Sequence, residues 1–497
     1  MDSARGPSLV TAAFRALTAS FTRVEAVLLP LLLVAHLALH SLLVVPEFGE
    51  PDGARMAGDA VNWHYAGVVR LDTTDYRMRT SPLYIHAMER ALRFGTPIEK
   101  LPALMTRFSL VTNTLALLAA YLLFRKLAGR PAGAVATVLL AGMPGFFLAG
   151  IYGMAHGPAL AMWLAGLLCF SESLEPDSSP RRFWILCALS LAFVFATFGF
   201  KADLVLNGAA FPGIAWLRGR LSRKTFFVAC GIVVVGLILQ MGYAKLLVVP
   251  GIDHAKDSVA GRFQHGEPFS IRFLKDKIQT GAVTHSPGVF LFAVGIFAMA
   301  AHALSKRGYR LGLVAFAWAA PPVVFWLFIM GNSARHNVSA LPPVALAVGA
   351  LVAEVAGSSL RVAVLGAICF VANYFSDTVG DPVGFGAYMP KSNLVELARD
   401  VAESTSQTER WASLFGKVTA EKKAVVARSS SPFAMFEAMV EGARTGTLSF
   451  QGTDFVVKRR DGKTQTVKSV YPASPTEGNA ITRRLLSEGF VVHHREF

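Results

Sequence analysis

The sequence predicts a polytopic α-helical membrane protein of about eleven transmembrane helices, followed by a small C-terminal α/β soluble domain. Three observations predict this class. Of the 497 residues, 53% are apolar and only 16% are charged, whereas a soluble chain normally carries about 25% charged residues. The mean hydropathy is +0.46. Apolar runs of around 20 residues, long enough for a ~30 Å hydrocarbon core, recur along most of the chain. This composition excludes a disordered chain and a single soluble globule.

The apolar runs separate a membrane domain, residues 1–376, from a more polar tail, residues 377–497. The first run lacks a convincing small-residue cleavage site, so we interpret it as an uncleaved span. The weakest run is residues 203–217, because it is short and begins with Asp203. The eleven predicted spans are residues 25–46, 108–124, 132–151, 157–173, 183–200, 203–217, 225–248, 286–304, 311–330, 338–356 and 359–376.

The net charge of +15 is concentrated in short loops between these runs, since the tail carries 16 Lys and Arg against 14 Asp and Glu. Basic short loops indicate the cytoplasmic side of a membrane rather than a nucleic-acid surface. With the N-terminus inside, every second loop is basic, and an odd number of spans places the tail outside. If segment 203–217 did not span the membrane, every later segment would be assigned to the opposite side. The basic loops are residues 125–130, 181–182, 218–224, 306–310 and Arg361.

The first outer loop, residues 47–107, is too long for a hairpin, and the spacing of its apolar residues predicts short amphipathic helices at the membrane surface over 58–69 and 83–94. Ser81-Pro82 is typical of a helix start. In the tail, the pattern predicts helices over 394–403, 432–443 and 480–488. Strands are predicted over 423–427, 447–450, 454–458, 464–470 and 490–493, with a hairpin turn at 461–462.

Carboxylates follow the first span directly, and Asp52 is the main candidate among them. At the place where a membrane-embedded substrate meets water, a carboxylate can act as a general base on an acceptor hydroxyl. A solvated polar loop explains any one of these acids as well. The catalytic interpretation gains from the cations and the histidine that follow in the same loop, Arg77, Arg79 and His86.

Cations at other outer span ends suit a lipid-linked phosphate. Lys201 follows a long apolar run, and Arg335 with His336 forms a later outer turn; a guanidinium can bind phosphate oxygens bidentately. A snorkelling Lys beside Asp203 and an interfacial anchor are the competing interpretations. His156 stands alone in an outer turn, where it is either structural or a substrate contact.

The segment 249–285 mixes His254 with several acids and bases, but no spacing matches a metal pattern. The four cysteines lie in apolar runs and predict no disulfide framework. No cofactor is therefore certain, and a divalent cation is left open. The sequence also has no Walker-type loop and no dinucleotide fingerprint.

Together these motifs resemble integral-membrane glycosyltransferases of the GT-C class, the protein mannosyltransferase and lipid A aminoarabinose transferase type. The resemblance covers roughly residues 25–376. Two departures from the family pattern are Gly53, where a second acid is usual, and Met56, where an aromatic is usual. The motifs are Glu-Pro-Asp-Gly-Ala-Arg at 50–55, Arg-Thr-Ser-Pro-Leu-Tyr at 79–84, Met-Pro-Gly at 143–145 and the stretch 335–343, which ends in Leu-Pro-Pro.

The resemblance implies transfer of a sugar from a polyprenyl-phosphate donor to a glycan, lipid or protein acceptor on the non-cytoplasmic face. It implies a bacterial inner membrane protein with its tail in the periplasm, and membrane lipids but no nucleic acid as partners. Asp52 would be the base, with Asp59 supplying the second carboxylate. Arg79, Lys201, Arg335 and His336 would bind the donor phosphate. The expected substrate-binding residues are Arg55, His64, Tyr84, His86, His156 and His254.

Two other functions are considered. An O-antigen ligase or polymerase would also use lipid-linked glycans, but its basic residues usually lie in a large late outer loop, for which 249–285 is a modest candidate. A lipid-linked glycan transporter or flippase would place ionisable groups in mid-span and show inverted repeats. The charges here lie at span ends and the sequence shows no repeat, so the transporter ranks third.

Overall fold

The computed structural model describes residues 22–43, 56–57, 60, 64, 81–97, 100–151, 153–247, 286–326 and 334–379, together with five strands of the tail. The α-helices are α1 (Arg23–Leu43), α2 (Pro82–Arg93), α3 (Leu101–Ala128), α4 (Arg130–Ala141), α5 (Pro144–Ile151), α6 (His156–Ser173), α7 (Pro180–Phe200), α8 (Ala210–Leu217), α9 (Arg223–Leu247), α10 (Val289–Leu304), α11 (Tyr309–Val324), α12 (Leu341–Ala356) and α13 (Ser359–Val379). Two 3-10 helices, Ala202–Asn207 and Ala334–Ala340, precede α8 and α12.

The helices form a bundle whose interior is mostly apolar. Trp163 on α6, Phe211 on α8 and Trp318 on α11 are among its largest fully buried side chains. The outer faces of the bundle are apolar as well, since Ile185 on α7 and Phe227 on α9 are more than half exposed. Large exposed apolar faces are unfavourable in water and mark a surface that contacts lipid. The chain is therefore an integral membrane protein.

A helix lies in each of the eleven apolar runs. Within the described ranges, four helices are long and apolar enough to cross a membrane, and the bent pair α4 and α5 would count as a fifth span. Five further apolar helices are shorter. They are Glu25–Ser41, Ala202–Leu217, Val289–Leu304, Tyr309–Val324 and Ser359–Asn373.

Small residues allow some of these helices to approach closely. A Cβ atom on Gly349 of α12 would lie 2.6 Å from the carbonyl oxygen of Ala132 on α4, and one on Gly312 of α11 would lie 2.6 Å from that of Met299 on α10. Without a strong hydrophobic driving force between helices in lipid, close backbone packing of this kind is a main source of association.

Ion pairs join the basic loops at one end of the bundle, which we call the inner end. Glu25 at the start of α1 lies 3.3 Å from Arg125 at the end of α3. Arg218, after α8, lies 2.7 Å from Glu175 in the loop between α6 and α7. Further pairs are Lys126 with Glu172 and Glu175, Arg130 with Glu25, and Arg182 with Glu172. Arg310 stacks 5.8 Å from the Trp216 ring centroid. These contacts bring together four of the five loops that the charge pattern assigns to one side.

The doubtful run 203–217 crosses the bundle. The run begins after Lys201 at the opposite end of the bundle, which we call the outer end. It ends just before Arg218, which takes part in the ion pairs of the inner end. A 3-10 helix rises about 2 Å per residue and an α-helix about 1.5 Å. The six-residue 3-10 helix with the rest of Ala202–Leu217 therefore spans ~27 Å, nearly the thickness of a hydrocarbon core.

The run 132–151 is broken. Its two helices, α4 and α5, meet at a bend of 63°. Pro144 takes the first position of α5, where its missing N–H costs no hydrogen bond. The Gly145 N–H donates to the carbonyl oxygen of Ser286, 2.8 Å away. The break turns α5 at the outer end of the bundle.

The first outer loop packs against the bundle where it is described. Helix α2 begins at Pro82 after Ser81 and confirms the predicted helix over 83–94. One face of α2 is buried, so the helix rests on the bundle, and its place at the membrane surface stays a prediction. Met56, Ala57 and Ala60 also lie in the core, at 6%, 0% and 0% exposure. Of the second predicted helix, over 58–69, only residues 60 and 64 are among those described.

In the tail, three strands, β2 (Gly446–Gln451), β3 (Asp454–Arg459) and β4 (Thr464–Val467), form an antiparallel sheet. β3 and β4 pair in the antiparallel way that the predicted hairpin requires, while its turn at 461–462 lies outside the described residues. β1 (Ala424–Val425) and β5 (Val491–Val492) pair in parallel. The predicted strands thus form, whereas the predicted tail helices lie outside the described residues.

Candidate active site at the outer end of the bundle

Lys201 lies at the end of α7, where the chain leaves the helix in an extended conformation. Its backbone N–H still donates to the carbonyl oxygen of Thr197, at 2.7 Å. The side chain is 12% exposed, and its Nζ lies 3.0 Å from Oδ2 of Asp203. The ammonium also lies 5.7 Å from the ring centroid of Trp326. A cation is therefore held in a mostly buried, aromatic setting at the membrane boundary.

Asn207 fastens the turn that carries Lys201. Its side chain is fully buried, and Nδ2 donates to the carbonyl oxygens of Trp318, at 3.3 Å, and Ser339, at 3.0 Å. Ser339 belongs to the 3-10 helix Ala334–Ala340, which also contains Arg335 and His336. Two of the segments predicted to bind phosphate are therefore in contact, although the side chains of Arg335 and His336 lie outside the described part of the chain.

Tyr84 connects α2 to the helices beneath it. It is fully buried, its hydroxyl donates to the carbonyl oxygen of Met105 at 3.3 Å, and its ring centroid lies 6.4 Å from that of Phe200. Phe200 immediately precedes Lys201. This geometry places Tyr84 beside the Lys201 turn, and its contact with substrate stays a prediction.

His86 lies on the same helix and faces α9. Its Nδ1 lies 2.8 Å from the hydroxyl oxygen of Tyr243, and Arg90 donates to its Nε2 at 3.1 Å. Because Nε2 accepts, the proton of the neutral ring resides on Nδ1. Partial burial, with the positive charges of Arg90 and Arg93, lowers the pKa of His86, while Glu89 acts in the opposite direction.

The other described candidates lie deeper or apart. His156 begins α6 and is 7% exposed, a position in the bundle interior rather than on an open turn. His64 is half-buried. Asp52, Arg55, Asp59, Arg79 and His254 lie outside the described residues. The predicted convergence of the first-loop acids with Lys201 therefore stays a prediction, supported by the buried neighbours Met56, Ala57 and Ala60.

A pair of adjacent buried histidines on α1 was not predicted from the sequence. His36 and His40 are 6% and 1% exposed, and their ring centroids are 3.8 Å apart. Nδ1 of His40 lies 2.8 Å from the carbonyl oxygen of His36, and the rings pack on Phe146 and Phe147 of α5. The signal that could have found the pair is two ionisable residues four apart in an apolar run.

Asn113 on α3 completes this polar group. It is fully buried, and its Nδ2 donates to the carbonyl oxygen of Phe146 at 3.1 Å. Phe146 is in the first turn of α5, next to the 63° bend.

Within the part of the chain that the structure describes, no three His, Cys, Asp or Glu residues are grouped to hold a metal ion. The described outer end therefore combines the mostly buried cation Lys201 with several buried polar groups.

The fold is similar to that of a solved structure. The crystal structure of ArnT from Cupriavidus metallidurans bound to undecaprenyl phosphate matches with a TM-score of 0.53 and 14% sequence identity, over 85% of this chain and 76% of that chain. At this identity the likeness concerns the fold alone. It confirms the GT-C fold that the sequence motifs predict.

Two other solved structures are less similar. AglB, an archaeal oligosaccharyltransferase from Archaeoglobus fulgidus in complex with an inhibitory peptide and a dolichol-phosphate, gives a TM-score of 0.47 at 14% identity, over 76% of this chain and 56% of that chain. Arabinosyltransferase EmbB from Mycobacterium smegmatis gives a TM-score of 0.41 at 14% identity, over 88% of this chain and 44% of that chain. Both scores are too low to support an argument. No protein-family model and no curated protein sequence matches this chain.

Proposed function

We propose that this protein is a membrane glycosyltransferase that transfers a sugar from a polyprenyl-phosphate donor to an acceptor on the non-cytoplasmic face. The observation that carries the proposal is Lys201, a cation held 12% exposed at the outer end of a GT-C bundle. ArnT, which has this fold, was crystallised with undecaprenyl phosphate. A lipid-linked phosphate lies at the membrane boundary, the level at which the end of α7 presents Lys201.

Lys201 would stabilise the charge that develops on the departing lipid phosphate. A preorganised cation in a site of low dielectric constant is most effective there, because it needs no reorganisation during the reaction. An ammonium has three N–H donors, so it can bind a phosphate oxygen while keeping its contact with Asp203. Since Asp203 neutralises one charge, the phosphate needs further cations, and we assign Arg79, Arg335 and His336 to this role.

Asp52 would deprotonate the acceptor hydroxyl, with Asp59 as the second carboxylate. The buried residues Met56, Ala57 and Ala60 support this assignment, because they attach the stretch between and beside the two acids to the bundle core. A base must lie within hydrogen-bond reach of the proton that it accepts, which requires a loop packed at the membrane surface. Residues that would contact substrate are Arg55, His64, Tyr84, His86, His156 and His254.

We further propose eleven spans in the inner membrane of a bacterium, with the inner end in the cytoplasm. The basic loops gathered at the inner end support this orientation through the positive-inside rule. The odd number of spans would place the tail, residues 377–497, in the periplasm. There it would bind or orient the glycan, lipid or protein acceptor, by analogy with other membrane transferases that carry outer domains.

The test is transfer in vitro by the purified full-length chain, with a panel of polyprenyl-phosphate sugars and candidate acceptors. Native protein is compared with Asp52→Asn and with the control Asp177→Asn, an exposed acid of the inner-end loop. Loss of a general base costs roughly 10²- to 10⁴-fold in rate. We expect this loss for Asp52→Asn with donor binding retained, and none for Asp177→Asn. Equal turnover by native protein and Asp52→Asn would contradict the base assignment.

A flippase is the second candidate, because His36 and His40 are ionisable residues buried in a span. At about 1.5 Å per residue, His36 and His40 lie ~20 and ~25 Å along α1 from Arg23, so both are in the outer half of this 21-residue helix and His40 is in its outer third. This depth favours a site at the outer boundary. In the flippase case, lipid-linked sugar would change leaflet in vesicles without any transfer product, and Asp52→Asn would leave that movement intact.

A further inference from the structure

A cavity of about 510 Å³ lies at the inner end of the bundle, between the loop that joins α6 to α7 and the loop that joins α8 to α9. This volume is within the roughly 300–1,000 Å³ of small-molecule sites. The residues that determine its character are Glu175, Phe183, Trp184, Arg220 and Lys224. It lies at the opposite end from Lys201, so it is separate from the proposed transferase site.

The cavity has two exposed cations. Lys224 lies 5.5 Å from the ring centroid of Phe183 and 5.3 Å from that of Trp184, so the aromatic rings of α7 hold its ammonium in place. Arg220 follows Gly219, whose φ of +67° makes a tight turn that glycine adopts without strain. The Arg220 N–H donates to the carbonyl oxygen of Ala215 at 2.8 Å, which fixes the turn against α8.

Two helix N-termini add to this positive potential. Ser179 caps α7 by accepting from the N–H of Arg182 at 3.2 Å, and Ser222 caps α9 by accepting from the N–H of Thr225 at 3.1 Å. Pro180, Ser222 and Thr225 all line the cavity. Helix N-termini carry a partial positive charge that favours anions.

The one acid in the lining does not cancel these charges. Glu175 is already paired with Lys126 at 2.6 Å and with Arg218 at 2.7 Å. Its carboxylate therefore has more positive than negative charge around it. The charges of Arg220 and Lys224 consequently remain in excess at the cavity, which suits an anion.

The wall of the cavity nearest the middle of the membrane is apolar and faces lipid. Trp184 is 52% exposed and Leu221 43%. Further towards the middle of the membrane, the exposed faces of α7 and α9 continue with Ile185, Phe227 and Ile238. Cations at the inner end, next to an aromatic and aliphatic groove that leads into the membrane, suit a molecule with an anionic headgroup and apolar chains. A soluble phosphate would use the cations but not the groove.

We propose that this cavity is a specific site for an anionic phospholipid of the leaflet at the inner end. Arg220 and Lys224 bind the phosphate, Trp184 lies at the glycerol level, and the acyl chains follow the groove between α7 and α9. Basic pockets between transmembrane helices are suited to anionic headgroups. The bound lipid would join the α6–α7 and α8–α9 loops and so stabilise the end of the bundle that positions the run Ala202–Leu217. The proposal does not depend on transferase activity.

The test uses full-length protein, delipidated in detergent, and counts bound lipids by native mass spectrometry. Dioleoyl phosphatidylglycerol and dioleoyl phosphatidylcholine are titrated separately, and inorganic phosphate is added as a competitor. The test variant is Arg220→Ala with Lys224→Ala. The matched control is Lys306→Ala with Arg307→Ala, which removes the same charge from two exposed residues at the same end of the bundle. Trp184→Ala tests the apolar wall without any change in charge.

We expect native protein and the control pair to bind one phosphatidylglycerol ~10- to 30-fold more tightly than the Arg220 and Lys224 double variant, at about 1 kcal/mol per cation. Trp184→Ala should weaken this binding several-fold, and millimolar phosphate should not displace the lipid. An equal loss in both charge pairs would overturn the proposal, because it would show a general charge effect. Displacement by phosphate would overturn it in favour of a free-anion site. Melting temperatures identify any variant that fails to fold, and Lys224→Gln alone then replaces the double variant.

Discussion

The two ends of the bundle hold charge in different ways. At the inner end, acids and bases at or beside several helix termini pair with one another, as Lys126 does with Glu172 and Glu175. At the outer end, the described residues include a mostly buried cation, Lys201, which contacts the carboxylate of Asp203 and the aromatic ring of Trp326. Charges that pair within the protein fix its helix ends. A cation held at low dielectric is instead suited to an anionic substrate.

This comparison predicts a separation of stability from activity. Substitutions at the inner end should lower the melting temperature and leave transfer largely intact. Substitutions around Lys201 should lower transfer by more than they lower stability. The four predictions below test this separation, from the largest expected effect to the smallest.

Of these four substitutions, replacement of Lys201 should have the largest effect. In Lys201→Ala the donor phosphate loses a charge-assisted contact, so we expect transfer to fall on the order of 10- to 100-fold. Lys201→Arg, which keeps the charge with a different shape, should retain part of the activity. The measurement is the initial rate of sugar transfer, with donor affinity measured separately. Lys306→Ala, an exposed lysine of the inner end, is the control, and an equal loss in the two alanine variants would contradict the proposed role.

Asn207→Ala should reduce both stability and transfer. It leaves the carbonyl oxygens of Trp318 and Ser339 without this donor, which costs about 1–3 kcal/mol in a buried site. It also releases the Lys201 turn from the segment of Arg335. Ser190→Ala removes one buried hydrogen bond from α7, to the carbonyl oxygen of Gly166, and serves as the control. We expect a lower melting temperature in both variants but a several-fold lower transfer rate only in Asn207→Ala.

Glu175→Gln tests the inner end. Lys126 and Arg218 would keep a polar partner but lose its charge, and because all three side chains are about a quarter exposed, we expect a cost of only ~1 kcal/mol. Burial alone would raise the pKa of Glu175, but the hydrogen bonds and charges of Lys126 and Arg218 hold it below 4.5. The stabilisation is therefore complete above pH 4.5 and lost as the pH falls through the lower, folded-state pKa.

Melting temperatures of native protein and Glu175→Gln across pH 3–7 check this prediction. The difference between the two proteins should be largest near neutral pH and should disappear in acid. Transfer at neutral pH should stay within about twofold of the native rate, as for most substitutions that remove only a partly exposed ion pair. A large loss of transfer with an unchanged melting temperature would contradict the separation of the two ends.

Much of this bundle could be predicted from apolar length and loop charge. Each of the eleven runs contains a helix. Loops such as 125–130 and 218–224 meet at one end of the bundle, as the positive-inside rule predicts from their basic residues. The predicted strands of the tail form as well. These features depend on local composition, which a sequence displays directly.

The tertiary details could not be predicted in this way. The 63° break in the run 132–151 depends on how α5 packs, including the contact of Gly145 with Ser286. The anchoring of the Lys201 turn depends on Asn207 and Ser339, which are 132 positions apart. Apolar length does not reveal which distant carbonyl a buried amide will meet. The histidine pair of α1 was missed for the related reason that two polar residues change the hydropathy of a long run very little.

The smallest effect concerns His86, which joins α2 to α9 through Tyr243. Burial and the nearby Arg90 lower its pKa below 6.5, so the folded state disfavours protonation relative to the unfolded chain. Stability from this group is present above pH 6.5 and decreases as the pH falls from 6.5 towards the folded pKa. Because His86 is only partly buried, we expect less than about 1 kcal/mol, seen as a small fall in melting temperature between pH 7.5 and 5.5. The fall should be weaker in His86→Gln, which can still donate to Tyr243, and unchanged in Lys306→Ala. An identical pH dependence in native protein and His86→Gln would show that another group controls it.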